Sequence, residues 1–591
     1  MNAVRSVLLR LTSLLVAWQT LASPAAADRP NVLVLLSDDQ GWGDLSLSGN
    51  ADLATPHVDS LAADGASFDR FYVCPVCSPT RAEFLTGRHH ARSGVYATST
   101  GGERLNLDET TIADLFRAAG YRTAAFGKWH NGAQHPYHPN ARGFDEFFGF
   151  CSGHLGDYFD AMQEHNGRIV RGAGYCADDY TNHAITFIEQ SVAQQQPFFV
   201  YVPYNTPHSP MQAPGRFWRR FADRQMTMPP DGDAKRQSKA DETRCAYAMC
   251  ENLDWNVGRL LNRLDAQGVA EDTIVVWFHD NGPAGVRYND GMKGKKGQTD
   301  EGGVRSPLLV RWPGHIAPRT EVAHIASARD LLPTLCELAG VPAATRHPVD
   351  GLSLAPLLLG DTADWPDRVL INQWQDKISA RSQQYRLDHQ GKLYDMAADP
   401  GQTRPVNDAQ PEALARLSAS ARAHRDAFMA NYARDDRPFV VGDPHAPATL
   451  LPAADSRGHG AIRRSSRHPN SSYFTHWASP DDRITFNVEV ATAGVYRVGL
   501  YYAAQEPGAK CELSFRDARL PFEITAAHDP PLRGAEHDRV PRIESYTKRF
   551  KQAALGEIEL AQGPGELSLR ALEIPGAEAM EFCMLTLERR E

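Results

Sequence analysis

The residues of this sequence that could do chemistry fall into a few short clusters. Asp38 and Asp39 stand together, and Asp280 and Asn281 form a second polar turn much later in the chain. Four oxygen donors from two separate turns, three of them carboxylates, select a hard cation, Ca2+ or Mg2+. The other reading is that Asp38-Asp39 merely caps a strand or helix. Cys77 opens the run Cys77-Ser78-Pro79-Thr80-Arg81. A cysteine there can be a nucleophile, a buried structural thiol or, with Cys74, half of a C-x-x-C redox pair. Arg81 follows by four residues and shares a face with Cys77 if the turn is helical. Lys128 and His130 flank Trp129, and only 11 of the 62 basic residues are lysine. His208 lies in Asn205-Thr206-Pro207-His208-Ser209-Pro210, and Lys296 in Lys293-Gly294-Lys295-Lys296-Gly297. His208 is the better proton donor near neutral pH. Lys296 would neutralise developing negative charge, with Lys295 the alternative.

Each cluster follows an apolar run that could position it. Asn31–Ser37 reads as a strand buried on both faces, as in a parallel sheet. Thr110–Gly120 has helical spacing and ends in glycine. Tyr121–Phe126 predicts a strand leading into Lys128-Trp129-His130, and Phe198–Val202 one leading into the His208 segment. Tyr247–Leu264 predicts a helix, and Thr273–Phe278 a strand leading into Asp280-Asn281. Strand, polar turn, helix and strand in succession describe an α/β sheet, whose ligands sit outside the carboxyl ends of its strands.

The chain of 591 residues carries 62 basic and 72 acidic residues, a net charge of −10, with 42% hydrophobic residues. That composition fits a folded globular protein and argues against a general nucleic-acid binder. Residues 1–27 read as a signal peptide, with Arg5 and Arg10, an apolar stretch and small residues at Ala25 and Ala27. The sequence therefore predicts export to a periplasmic or extracellular compartment, and no later run is apolar and long enough for a membrane span. Nine cysteines leave at least one unpaired or modified. Residues 437–482 read as a linker. Beyond it, alternation at Ile484, Phe486, Val488 and Val490, and at Tyr496, Val498, Leu500 and Tyr502, predicts an all-β, sandwich-like appendage over 483–591.

The pentad Cys77-Ser78-Pro79-Thr80-Arg81 with Leu85-Thr86-Gly87-Arg88 resembles the signature of the type I, formylglycine-dependent sulfatases of the alkaline phosphatase superfamily. The resemblance runs over 28–430. It includes Arg29-Pro30-Asn31, Asp38-Asp39, Gly127-Lys128-Trp129-His130, Asp280-Asn281-Gly282, Lys296-Gly297 with Glu301-Gly302-Gly303-Val304-Arg305-Ser306-Pro307, and Leu393-Tyr394-Asp395 with Asp399-Pro400, in that order. It implies a mixed sheet flanked by helices over 28–345 and a smaller C-terminal subdomain over 346–436. It implies sulfuric ester hydrolysis with Cys77 oxidised to formylglycine (3-oxoalanine) by a maturation enzyme. One hydroxyl of the hydrated aldehyde would attack sulfur and the other would expel sulfate. One Ca2+ would be held by Asp38, Asp39, Asp280 and Asn281, with Mg2+ the lesser choice. Arg81 would bind position 77, Lys128 the sulfate, and His130 would open the hydrate. His208 and Lys296 would meet the leaving oxygen, and Asp280 would also act as a base. The family, export and the β appendage together suggest a sulfated saccharide as substrate. Its contacts are sought at His154 and Asp157, and at Trp374 between Gln373 and Gln375. His279, where serine is commoner, and Gln298-Thr299-Asp300 depart from the usual pattern. A phosphonate or phosphate monoesterase using the same aldehyde, a silent carbohydrate-binding protein and a Cys74–Cys77 redox protein are the competing readings.

Overall fold

A computed structural model describes residues 29–590 except 228–233, 362–364, 431 and 433–434; side chains 234–239 are also left aside. The predicted signal peptide lies outside the described residues. The centre is an eleven-stranded mixed sheet. Five of its strands run parallel in the order Thr273–His279, Asn31–Ser37, Phe198–Pro203, Arg122–Lys128 and Glu146–Phe150. Asn31–Ser37 is buried along its whole length, which its unbroken aliphatic run requires of a strand covered by helices on both faces. Alternate residues feed the two sides: Val32, Val34 and Leu36 join one apolar core, Leu33 and Leu35 the other. Arg305–Arg311 runs antiparallel to Thr273–His279 and to Ala66–Tyr72. Ala66–Tyr72 therefore points the same way as the five central strands and delivers Cys77 to the same edge of the sheet.

The helices follow from equally local causes. Ile112–Ala118 begins behind Thr111, whose hydroxyl accepts from the Asp114 backbone N–H while the Asp114 carboxylate accepts from Thr111, a reciprocal capping box. The helix expected over 247–264 is part of a longer one, Ala234–Ala266. A four-stranded antiparallel sheet, Leu370–Trp374 to Leu393–Asp395, follows, packed on the helix Pro411–Phe428. Among the described residues no helix is long and apolar enough to cross a membrane. All nine cysteines are free.

Two six-stranded sheets close the chain. The alternating residues Ile484, Phe486, Val488, Val490, Tyr496, Val498, Leu500 and Tyr502 are all buried in one apolar core between them. The linker expected over 437–482 is not a linker. Phe439–Val441 and Arg457–His459 pair with opposite ends of one edge of Arg483–Val490, and Thr449–Pro452 and Phe474–Thr475 pair with Glu581–Arg589. These strands are two to four residues long, too short to show alternation among the prolines and charges around them.

Gly127, just before Lys128, takes φ +134°, and a Cβ there would stand 2.1 Å from the Pro203 carbonyl oxygen. Backbone cannot give way as a side chain can. Gly127→Ala is expected to cost at least about 2 kcal/mol, read as a fall of several degrees in the melting temperature of the region built on this sheet. An unchanged melting temperature would show that the sheet tolerates the shift.

Candidate active site

The carboxyl edge of the parallel strands gathers the sequence clusters. Ser37 and His279 are register partners, so the two polar turns that follow them lie side by side. The Asp39 backbone N–H donates to Asp280 Oδ1 at 3.1 Å, and Asn281 Nδ2 donates to Asp39 Oδ1 at 2.9 Å. Asp39 and His130 both take φ +64°, a left-handed conformation that costs non-glycine residues energy and concentrates at functional sites. Cys77 is the first residue of the buried helix Cys77–Thr86, which no side chain caps. Its free N-terminal amides and dipole favour negative charge at position 77. Thr80, one turn on, donates to the Asp280 carbonyl at 2.6 Å and ties the helix to that turn.

The side chains then meet. The Cys77 sulfur and carboxylate oxygens of Asp38 and Asp280 all lie within 4.8 Å of one another. Arg81 Nη2 donates to Asp280 Oδ2 at 2.9 Å and Nη1 to the Lys128 carbonyl at 2.6 Å. Lys128 Nζ donates to Asp38 Oδ2 at 2.6 Å, and Lys296 Nζ stands 2.7 Å from Asp39 Oδ1. Lys295 is exposed, so Lys296 is the lysine that reaches the cluster. His208 Nε2 lies 3.7 Å from Asp39 Oδ2. His208 Nδ1–H donates to the Ser209 carbonyl, which leaves Nε2 facing the cluster. His130 Nε2–H donates to the Thr98 carbonyl at 2.9 Å, and its buried Nδ1 has no partner. That tautomer presents a free lone pair.

Burial and charge compete here. Burial opposes ionisation of Asp38, but Lys128, His208, Arg81 and Lys296 outweigh it and hold its carboxyl well below the usual range. Burial, then the charge of Asp38, pushes Asp280 up to about 7 against Arg81 and Lys128. Burial lowers His130, and Lys128 adds to this. Burial also raises the Cys77 thiol. Asp38 Oδ1 and Asn281 Oδ1 are buried without a hydrogen-bond partner. Orphaned oxygens among three carboxylates are the donor set of a hard cation, and the residues fit one.

Other candidates fare unequally. His154 is buried, its ring centre 5.5 Å from that of His208, and neither ring nitrogen has a partner. Asp157 lines the cavity that also takes in His154. Its carboxylate lies 3.5 Å from Arg533 and 3.6 Å from His537, both in the C-terminal β region. Trp374 is half-buried at a hairpin of the four-stranded sheet, opposite Lys377, and its neighbour Gln373 is bonded to His424. His279 accepts from the Trp277 indole at 3.1 Å and is occupied there. Cys74 lies with Glu83 and His90, in a different group from Cys77, which does not favour the redox pair. The residues missed by sequence reasoning are Asn470 and Glu544. Asn470 donates to the same Thr98 carbonyl as His130, and Glu544 accepts from Ser209 beside His208. No local motif marks either.

Comparison with known proteins agrees with this geometry. A family model described as Sulfatase matches residues 30–341, and one for the C-terminal region of N-sulphoglucosamine sulphohydrolase matches 295–417. Mouse N-acetylgalactosamine-6-sulfatase is 33% identical over 401 residues, 62% of this chain and 72% of its own. Human arylsulfatase A is 35% identical over 398 residues, 61% of this chain and 72% of its own. The crystal structure of Ps i-CgsB in complex with k-i-k-neocarrahexaose aligns with a TM-score of 0.61 at 28% identity, covering 67% of this chain and 92% of that one.

The cation site is testable apart from turnover. Chelator-treated protein is expected to bind one Ca2+ per chain by calorimetry, more tightly than Mg2+. Asp38→Asn is expected to weaken binding by at least about tenfold. Absent binding, or equal binding by the variant, would remove the cation from this cluster.

Proposed function

The chain belongs to the sulfatase family, and on that premise we propose that it releases sulfate from a sulfated carbohydrate, using formylglycine at position 77 and one Ca2+ held by Asp38, Asp39, Asp280 and Asn281. Sulfuric ester hydrolysis is the activity of the family to which its relatives belong. The observation that carries the finer reading is the meeting of Cys77 with Asp38 and Asp280 inside 4.8 Å, ringed by Arg81, Lys128 and Lys296.

Bound Ca2+ would supply positive charge against a sulfuryl oxygen. The hydrated aldehyde would supply the attacking hydroxyl and a second hydroxyl for release. The remaining work belongs to side chains already in place. Asp280 can accept the proton of the attacking hydroxyl, and Arg81 holds that carboxylate at 2.9 Å. Lys128 and Lys296 place two ammonium groups where negative charge grows on the sulfuryl oxygens and the leaving oxygen. His208 donates its Nδ1–H to the Ser209 carbonyl, so only its imidazolium form carries a second proton, on Nε2, and that is the proton it would give to the departing alcohol. His130, its Nε2–H fixed on Thr98, offers Nδ1 as the base when sulfate departs.

Cys77 is only 3% exposed. The maturation enzyme must therefore reach it before the chain has folded, which fits export of an incompletely folded chain. A carbohydrate substrate is supported by a cavity of about 500 Å3 that borders the site at His154. Its walls include Phe150, Tyr473 and Phe550 with Arg533 and Arg549, aromatic faces and cations suited to an anionic sugar.

The test is sulfate release from sulfated saccharides and aryl sulfates by matured enzyme, with Cys77→Ala as control. Mass spectrometry of the peptide Phe71–Arg81 is expected to show one cysteine changed by loss of sulfur and two hydrogens and gain of one oxygen. Release absent from the control supports the proposal. Verified formylglycine with turnover of aryl phosphates or phosphonates alone would replace it with the phospho-ester reading.

A further inference from the structure

The C-terminal β domain enters the catalytic centre at two points. The loop between Arg463–Arg464 and Phe474–Thr475 carries Asn470 and Ser471. Asn470 Nδ2 donates to the Thr98 carbonyl at 2.8 Å, and that carbonyl also accepts from His130 at 2.9 Å. Ser471 donates to the His154 carbonyl. A Cβ added to Gly153 would stand 2.4 Å from both Asn470 Nδ2 and His130 Nε2, so glycine there is what lets the two approach.

The second point is the long segment between Ala518–Glu523 and Lys551–Leu560. Glu544 Oε1 accepts the Ser209 hydroxyl at 2.6 Å. The same Ser209 supplies the carbonyl that takes His208 Nδ1–H at 2.7 Å, and its Oγ lies 3.5 Å from Nδ1. The segment is anchored along this stretch. The Arg539 backbone N–H donates to the Met211 carbonyl at 2.9 Å, and Gln212 donates to Asp538 and the Gly534 carbonyl.

We propose that Glu544 and Asn470 of the β domain are positioning residues of the reaction, Glu544 for His208 through Ser209 and Asn470 for His130 through Thr98. The proposal rests on the roles given above to the two histidines. With its proton given to the Glu544 carboxylate, Ser209 Oγ offers only lone pairs to Nδ1–H. The ring is thereby held with Nε2 toward the leaving oxygen. Asn470 fixes the Thr98 carbonyl, and so the ring that presents Nδ1. The appended domain is then a working part of the centre rather than a tether.

The experiment uses full-length matured enzyme and three esters of graded leaving ability: 4-nitrophenyl, phenyl and 4-methoxyphenyl sulfate. Aid to the leaving oxygen matters most for the poorest leaving group. Glu544→Ala is expected to lower kcat at least about tenfold on the 4-methoxyphenyl ester and less than about threefold on the 4-nitrophenyl ester, with KM little changed. Ser209→Ala should show the same slope, and Glu544→Gln, still able to accept the hydroxyl, should restore most of the loss. Asn470→Ala is expected to lower kcat equally on all three, with a burst of one phenol per site before slow turnover. Histidine 15N spectra should show Nδ1 of His208 protonated throughout and Nε2 taking up its proton as the pH falls in the parent and Glu544→Gln, with a mixture of tautomers in Glu544→Ala. Equal loss on all three esters in Glu544→Ala, or no rescue by glutamine, would overturn the role of Glu544. Absence of the burst would overturn that of Asn470. A parent inactive on every ester and on the sulfated saccharides would instead overturn the sulfatase reading of the site.

Discussion

Three carboxylates buried at the ends of two adjoining parallel strands are the constraint on which the rest of this structure depends. Asp38, Asp39 and Asp280 are each at most 2% exposed. Removing a carboxylate from water costs several kcal/mol unless it is paired. The fold supplies a cation to each: Lys128 to Asp38, Lys296 to Asp39 and Arg81 to Asp280. Three cations facing three carboxylates leave the cluster near neutrality. A bound divalent cation would tip it positive, which is the charge an anionic ester seeks. The left-handed backbone at Asp39, the strand register and the uncapped helix at Cys77 are the means by which the chain tolerates this concentration of charge.

The same constraint explains how the two domains are joined. The β sandwich has its own apolar core and does not need the catalytic domain to bury it. Its links to that domain include polar ones. Arg104 donates to the carbonyls of Arg437 and Pro438, Gln134 to Asp455, and Arg533 meets Asp157. Polar links of this kind fix orientation more than they stabilise, because each group gives up water for a partner. They suit a contact whose purpose is to place a few side chains accurately.

What was legible in the sequence was what is local. Asn31–Ser37 and Thr273–His279 announce themselves because both faces are buried and the residues are apolar throughout. The chemistry-bearing residues at their ends stand where an α/β sheet puts a ligand. The short strands within 437–482 were hidden because pairing, not alternation, makes them strands. Asn470 and Glu544 were hidden for a stronger reason: their partners Thr98 and Ser209 lie 372 and 335 residues away. The partner of Asp157 was hidden for the same cause, since Arg533 comes from the far end of the chain.

Exposure divides the centre into two zones. Arg81 and Lys128 have side chains with no exposed surface, whereas His208 and Lys296 retain 14% and 23%. Those two are the groups that would meet the leaving oxygen. The buried zone can therefore hold only a small anion, and the rest of the substrate must extend past His208. Recognition of the sulfate and recognition of the molecule that carries it are thereby given to different residues. The first belongs to the sheet edge, where charge balance allows little change. On the proposed reading the second would fall to His154 and the cavity beside it, whose residues are not part of that balance. A centre divided this way can keep one chemistry while its rim is refitted to another sulfate ester.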